Sequence, residues 1–343
     1  MKTVSIVGGG LAGLTLGLRL RQLGVPVELF EAGSYPRHRV CGEYLSGRGR
    51  ECLHSLIPDQ TWALAGARCS TGLQVFRGSQ RLGGQTLPRP ALCLSRHRLD
   101  QLLADHLVSN GGRLHLQTRQ KLGTGEGWIS ATGRQPVVQE EGWRWIGLKV
   151  HALDLPMGED LEMHLTPYGY VGLCAVEGNR VNVCGLFRTR ETVPDLAQQW
   201  PRWLSGPTGS VLQQRLRNAH WDESSFSCVS AISLRPRRAA QQSGVRVGDA
   251  VTMIPPLTGN GMSMAVEGSF LAADPLAEWS RGEIDWAVCS RRVAQRLDLA
   301  FSSRLAWAYC LQQTILHPWG QPAAWHLSRL FPPLPQLLFH LTR

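Results

Sequence analysis

Residues 3–31 leave the chain few alternatives. Thr3-Val4-Ser5-Ile6-Val7 is a short β-prone run that leads directly into Gly8-Gly9-Gly10-Leu11-Ala12-Gly13 and then into an apolar, helix-length segment ending near Leu23. Gly24-Val25-Pro26 closes that helix, and Val27-Glu28-Leu29-Phe30-Glu31 follows as a second buried strand that finishes in a carboxylate. Strand, glycine turn, helix and strand in this order make the βαβ unit of a dinucleotide-binding fold. Gly8 permits the tight turn and Gly10 lets backbone approach a pyrophosphate. Gly13, with Ala12 beside it, permits close packing of the helix, and Glu31 stands where it can accept hydrogen bonds from an adenosine ribose. The unit does not by itself say which dinucleotide is bound.

The rest of the composition bounds the answer. A chain of 343 residues has room for about two domains of roughly 150 residues. With 43% hydrophobic and 18% charged residues it is expected to fold around its own core. No run of 18 apolar residues occurs, so no ordinary spanning helix is expected and the reading is of an intracellular, cytoplasmic protein. The nine cysteines, Cys41, Cys52, Cys69, Cys93, Cys174, Cys184, Cys228, Cys289 and Cys310, form no CxxC pair, which argues against structural zinc and against a disulfide framework. The formal charge of +10 comes almost wholly from scattered arginines, since Lys2, Lys121 and Lys149 are the only lysines. With no basic arm, a nucleic-acid partner is not expected, although a basic surface suits an anionic membrane face.

Four further segments carry a resemblance. Gly248-Asp249-Ala250 is followed by Pro255-Pro256-Leu257-Thr258-Gly259-Asn260-Gly261-Met262 and a small-residue helix from Ser263 to about Ala273. Pro36-Arg37-His38-Arg39-Val40-Cys41-Gly42-Glu43 is similar to a P-x-x-[KR]-x-C-G-E stretch, and Ser95-Arg96-His97-Arg98-Leu99-Asp100 to an R-x-x-L-D helix start. Together with Trp128-Ile129-Ser130-Ala131-Thr132-Gly133, these segments resemble the FAD-dependent superfamily of geranylgeranyl reductases, aromatic-ring hydroxylases (flavin monooxygenases) and flavin-dependent halogenases. The resemblance implies FAD as cofactor, with Asp249 on the ribityl chain and the turn through Pro256, Gly259, Gly261 and Met262 aiming a helix N-terminus at the flavin. It also implies Arg96 on the phosphates, Arg39 as a charge that retains the cofactor, and Cys41 close to flavin and substrate. Pro167-Tyr168-Gly169-Tyr170 resembles the strand facing the isoalloxazine, which makes Tyr168 and Tyr170 candidates for the pocket wall. Trp143-Arg144-Trp145-Ile146 only superficially resembles the halogenase W-x-W-x-I-P motif, because Gly147 replaces the proline and the segment lies too early in the chain.

The expected architecture is α/β: a discontinuous Rossmann-type, glutathione-reductase-like FAD domain (1–60, 91–146 and 229–275) with a substrate domain of antiparallel strands (61–90 and 147–228) and a C-terminal helical segment (276–343). The expected activity is an FAD-dependent oxidoreductase acting on a hydrophobic small molecule such as a prenyl, quinone or polyketide-like lipid. Two chemistries fit the resemblance: ene reduction from the reduced flavin N5, or hydroxylation through a flavin C4a-hydroperoxide. No second GxGxxG follows a strand, so NAD(P)H or another electron donor is expected to bind only transiently. After Asp298 there is no acidic residue, and residues 299–343 carry Trp307, Leu311, Trp319, Trp325, Leu338 and Phe339 among arginines. Such a tail is expected either to roof the pocket as a helical lid or to rest peripherally on a membrane.

Overall fold

The computed structural model describes residues 1–317 together with 319 and 320. The chain opens with β1 (Val4–Val7), α1 (Leu11–Gln22) and β2 (Val27–Phe30), then runs through β3 (Tyr44–Leu45), α2 (Gly47–His54) and α3 (Asp59–Leu64). A long hairpin, β4 (Arg68–Arg77) and β5 (Gln80–Cys93), is followed by α4 (Arg96–Ser109), β6 (Arg113–His115) and β7 (Trp128–Ser130). Next comes a meander of β8 (Arg144–Leu153), β9 (Leu161–Thr166), β10 (Gly169–Ala175) and β11 (Arg180–Thr189). The helices α5 (Leu196–Leu204) and α6 (Val211–Leu216) precede β12 (His220–Val229) and β13 (Val245–Arg246), and α7 (Gly261–Arg281) and α8 (Trp286–Leu316) complete the described chain.

These strands form two sheets. The first is parallel throughout, in the order β13-β7-β1-β2-β6. Its centre is the βαβ unit read from the sequence, and α1 is buried along nearly its whole length because it lies between this sheet, α4 and α7. That depth is why Gly13 has no side chain: a Cβ there would stand 2.0 Å from the Gly8 carbonyl oxygen. The second sheet has eight strands in the order β12-β8-β11-β10-β9-β4-β5-β3. It unites the early hairpin with the later meander, and one joint, β4 with β9, is parallel where an all-antiparallel arrangement was expected. The hairpin enters the sheet from an earlier part of the chain, after which α4, β6 and β7 return to the first sheet; no hairpin turn joins β4 to β9, and nothing obliges them to run antiparallel.

Period-two alternation decides what each face of the second sheet does. Ile146, Leu148, Val150 and Ala152 of β8, with Val171 and Leu173 of β10, pack on Trp200, Leu204 and Leu212 of α5 and α6. Fully burying a side chain such as Leu204 contributes about 1.5–3 kcal/mol, so this outer face secures the sheet. The intervening residues, Gly147, Lys149, His151, Tyr170, Asn182 and Cys184, face the other way, toward the loop after β2. The long α8 packs along α7, and at its C-terminal end Ile315 and Leu316 join an apolar cluster with Tyr170 and Leu186. Among the described residues no helix is long and apolar enough to cross a membrane. Of the tail residues singled out above, Trp325, Leu338 and Phe339 lie outside the described residues; Trp307 and Trp319 are exposed.

Candidate functional site

Two helix N-termini, two arginines and two carboxylates converge between the sheets. The N-terminus of α1 is capped by no side chain, and a Cβ built on Gly10 would find no atom within 4 Å, so the space beside it is open. Glu31, at the end of β2, is buried; its Oε2 accepts from the Gly9 amide at 2.9 Å and its Oε1 from the Gly33 amide at 2.8 Å. Burial pushes its carboxyl up, but the Gly33 amide and the charges of Arg37 and Arg39 outweigh burial and hold it below the usual carboxylate range. Oε1 also takes Arg37 Nη2 at 2.8 Å, which leaves Oε2 with the lone pair that can accept a ribose hydroxyl.

Asp100, one turn into α4, arranges the arginines. Its oxygens accept both Nε and Nη2 of Arg96 at 2.8 Å, and Oδ2 also accepts Arg39 Nε at 3.1 Å. Burial disfavours the Arg96 cation, yet Asp100 more than compensates and holds it protonated. Arg39 feels burial and the neighbouring Arg96 charge, both of which push its pKa down. Its Nη2 is buried without a hydrogen bond, 3.6 Å from Glu31 Oε2. Two guanidiniums held side by side, one with an idle donor, are suited to a diphosphate.

On the opposite wall, Gly259 takes the left-handed conformation (φ +62°) and turns the chain into α7, whose N-terminus no side chain caps. Pro256 opens the preceding 3-10 turn, Gly261 is the first residue of α7, and the Met262 side chain points into the core. Asp249 lies deep in the protein yet its side chain is accessible, as befits a group lining a cleft; burial raises its carboxyl to about 6 against the pull of Arg96 and Arg134. Ala12 faces Gly248 across the cleft's inner end: a Cβ on Gly248 would stand 2.7 Å from that of Ala12.

The cleft continues to Cys41, and there the second sheet takes over. The Cys41 carbonyl accepts the Asn182 side-chain amide at 2.9 Å, and its thiol accepts the Glu43 amide at 3.4 Å and a hydrogen bond from Arg96. Burial nonetheless raises the thiol's pKa, so Cys41 is a protonated thiol at neutral pH. Glu43 is completely buried at a left-handed φ of +57°. Its Oε1 accepts the Arg96 amide at 2.9 Å and lies 3.4 Å from Lys149 Nζ, while Oε2 accepts His151 Nε2–H at 2.7 Å. Burial works against the Glu43 charge, but His151 and Lys149 keep it ionised. Lys149 also donates to His38 Nδ1 at 3.0 Å; burial and the Lys149 charge bring His38 down to about 4, so it is neutral and able to accept. This cluster fixes the Cys41-Gly42-Glu43 turn against the sheet, and a left-handed Glu is tolerated there because four partners hold it.

Beyond Cys41 the sheet face turns apolar. Tyr170 is 3% exposed and donates to Gln312 Oε1 of α8 at 3.1 Å, among Met163, Leu186, Met253 and Leu257. Tyr168 is not brought here: it is 65% exposed at the tip of the β9–β10 hairpin, because hairpin geometry turns the residue before β10 outward. Lys149, His151, Asn182 and His38 are site residues that sequence reasoning missed. A signal existed: Lys149 and His151 are polar insertions, two residues apart, in the otherwise apolar strand Trp145–Leu153.

The model of the NAD(P)-binding Rossmann-like domain matches residues 6–56. No match is found among curated proteins. Among solved structures, the chain is similar to a triple mutant of flavin-dependent brominase Bmp2, with a TM-score of 0.75 and 16% identity over 99% of this chain and 93% of that one. It is also similar to a variant of halogenase PltM in complex with FAD, with a TM-score of 0.73 and 14% identity over 98% and 82% of the two chains. PqsL of Pseudomonas aeruginosa, described as a probable FAD-dependent monooxygenase, gives a TM-score of 0.69 and 15% identity over 92% and 97%. At these identities the likeness is one of fold, and that fold is the one used by FAD-binding flavoenzymes.

Proposed function

We propose that this chain is an FAD-dependent oxidoreductase acting on a hydrophobic small molecule. The observation that carries the reading is the convergence on one cleft of two uncapped helix N-termini, the Arg39–Arg96 pair and the accessible Asp249, with an apolar cluster at the far end. These residues fit the cofactor: the α1 amides with Arg39 and Arg96 would hold the diphosphate, Glu31 the adenosine ribose, Asp249 the ribityl chain, and the α7 N-terminus the polar edge of the ring. When bound, FAD supplies hydride transfer or, in its reduced form, reaction with O₂. The chain's own part is to exclude water with the Tyr170–Leu257 cluster, to seat the substrate beside Cys41, and to hold a proton on the Cys41 thiol.

Within this class the C-G-E turn supports reduction of a conjugated double bond. O₂-dependent hydroxylation is the second reading, favoured by the fold shared with a halogenase, a brominase and a monooxygenase. NAD(P)H, or another transient donor, is the proposed reductant. Purified protein is expected to be yellow and to release FAD, not FMN, on denaturation; colourless protein that takes up no FAD on reconstitution would sink the proposal. Turnover of prenyl, quinone and polyketide lipids with and without O₂ separates the two chemistries, since ene reduction proceeds anaerobically.

A further inference from the structure

Across the middle of the second sheet, accessible surface is confined to one row. Every residue of β9 is buried except Met163, every residue of β10 except Gly172, and every residue of β11 from Val181 to Phe187 except Cys184. The three stand opposite one another, Met163 paired with Gly172 and Gly172 with Cys184. Val171 and Leu173 point into the outer apolar cluster, so position 172 belongs to the inner face with Tyr170 and Cys174.

The opening is local. A Cβ on Gly172 would meet only the Cys184 and Glu162 carbonyl oxygens, at 3.8 and 3.9 Å, both from the flanking strands. No atom of the facing layer comes within 4 Å of that position. One row further along the same face, a Cβ on Gly147 would stand 2.8 Å from Val229 and 3.0 Å from Val40; on the outer face, one on Gly185 would stand 2.5 Å from Phe187. Those glycines permit close packing, whereas Gly172 leaves a gap. The gap lies next to Cys41, whose backbone is bonded to Cys184 and Asn182, and next to the Tyr170–Leu257 cluster. At about 4.8 Å between strands, the β9 and β11 backbones that flank the slot lie roughly 10 Å apart. Its floor is peptide backbone and its sides are a thioether and a thiol, so it presents no charge.

We propose that Gly172 is a specificity-determining residue: its missing side chain opens a slot between Met163 and Cys184 in which a flat, neutral, unsaturated group of the substrate, such as an aromatic ring, lies against the backbone of β10. The proposal deepens the oxidoreductase reading by naming the substrate group, and rests on the same site. Gly172 does not have a positive φ, so a side chain there strains nothing and favours the strand.

The test is a fluorescence titration of the full FAD-loaded chain with 1-aminoanthracene, a flat neutral probe that brightens on burial in apolar surroundings. Wild type is expected to bind it. Gly172→Ala should weaken binding about 10-fold, as one misplaced methyl group in a fitted pocket does, and Gly172→Leu should abolish it. Both variants should keep the wild-type FAD content and melting temperature. Should Gly172→Leu fail to fold, Gly172→Ala decides. Failure of wild type to bind the probe, or unchanged affinity in folded, FAD-loaded variants, overturns the proposal. Gly172-dependent probe binding by protein that takes up no FAD would leave the slot standing and remove the flavin reading instead.

Discussion

The two ends of the cleft are built in opposite ways. At the dinucleotide end the key contact, the Gly9 amide on Glu31, spans 22 residues, and each participant belongs to one βαβ unit whose geometry is nearly complete before the rest of the chain is added. At the sheet end the key contact, His151 on Glu43, spans 108 residues and joins a loop of the first layer to a strand of the second. The first end uses backbone amides and the guanidinium groups of Arg39 and Arg96, and keeps a donor to spare on Arg39 Nη2. The second buries Glu43 and Lys149 completely and satisfies them within the protein. The first arrangement suits a charged ligand, whereas the Glu43 cluster ties the loop after β2 to the sheet beside the Gly172 slot.

The largest expected effect lies at the sheet end. Glu43→Gln leaves the Lys149 ammonium buried without its counter-ion, and urea denaturation should show a loss of about 3–5 kcal/mol. Adding Lys149→Met should recover most of it, since a neutral pair no longer carries a desolvated charge. A double variant no more stable than the single one would mean that the two side chains do not act as a unit. The dinucleotide end should answer in the other currency, ligand affinity. Arg39→Ala removes a side chain that is 30% exposed, so stability should change by no more than about 1 kcal/mol while FAD affinity falls about 10- to 100-fold, the loss of one or two charge-assisted bonds. An Arg39→Ala protein that unfolds but retains FAD would make Arg39 a structural residue and not a ligand contact.

The smallest effect sharpens it through pH. An aspartate carboxyl ordinarily titrates near 3.9, and that of Asp249 in the folded protein near 6. The folded state therefore holds this proton more tightly than the unfolded state. Its contribution favours folding at low pH and is lost as pH rises from about 4 to about 6. Urea midpoints of the cofactor-free protein, compared between wild type and Asp249→Asn, should show a falling component over that window in wild type alone. Parallel curves for the two proteins would place Asp249 outside the cleft's electrostatics.

What could be read from the sequence follows the same division. The glycine fingerprint, Glu31, the Arg96 helix start and the turn before α7 were legible because each is local: a tight turn, a capping position or a helix start leaves its mark within a few residues. Cys41 and Glu43 were visible as a motif, but their partners were not. Lys149 and His151 looked like interruptions of an apolar strand, and Tyr168 could not be told from Tyr170 until hairpin geometry sent one to solvent and the other beneath α8.

The parallel, Rossmann-type sheet follows from the sequence alone, because glycine spacing and strand–helix–strand order are constraints on backbone geometry that few other folds satisfy. Only the tertiary structure decided which face of the second sheet meets the loop after β2, which polar side chains become buried partners there, and where a missing side chain leaves room for a substrate. Those outcomes depend on strand register and on which layers are brought together. Register is set by pairings between segments a hundred residues apart, which no local pattern encodes.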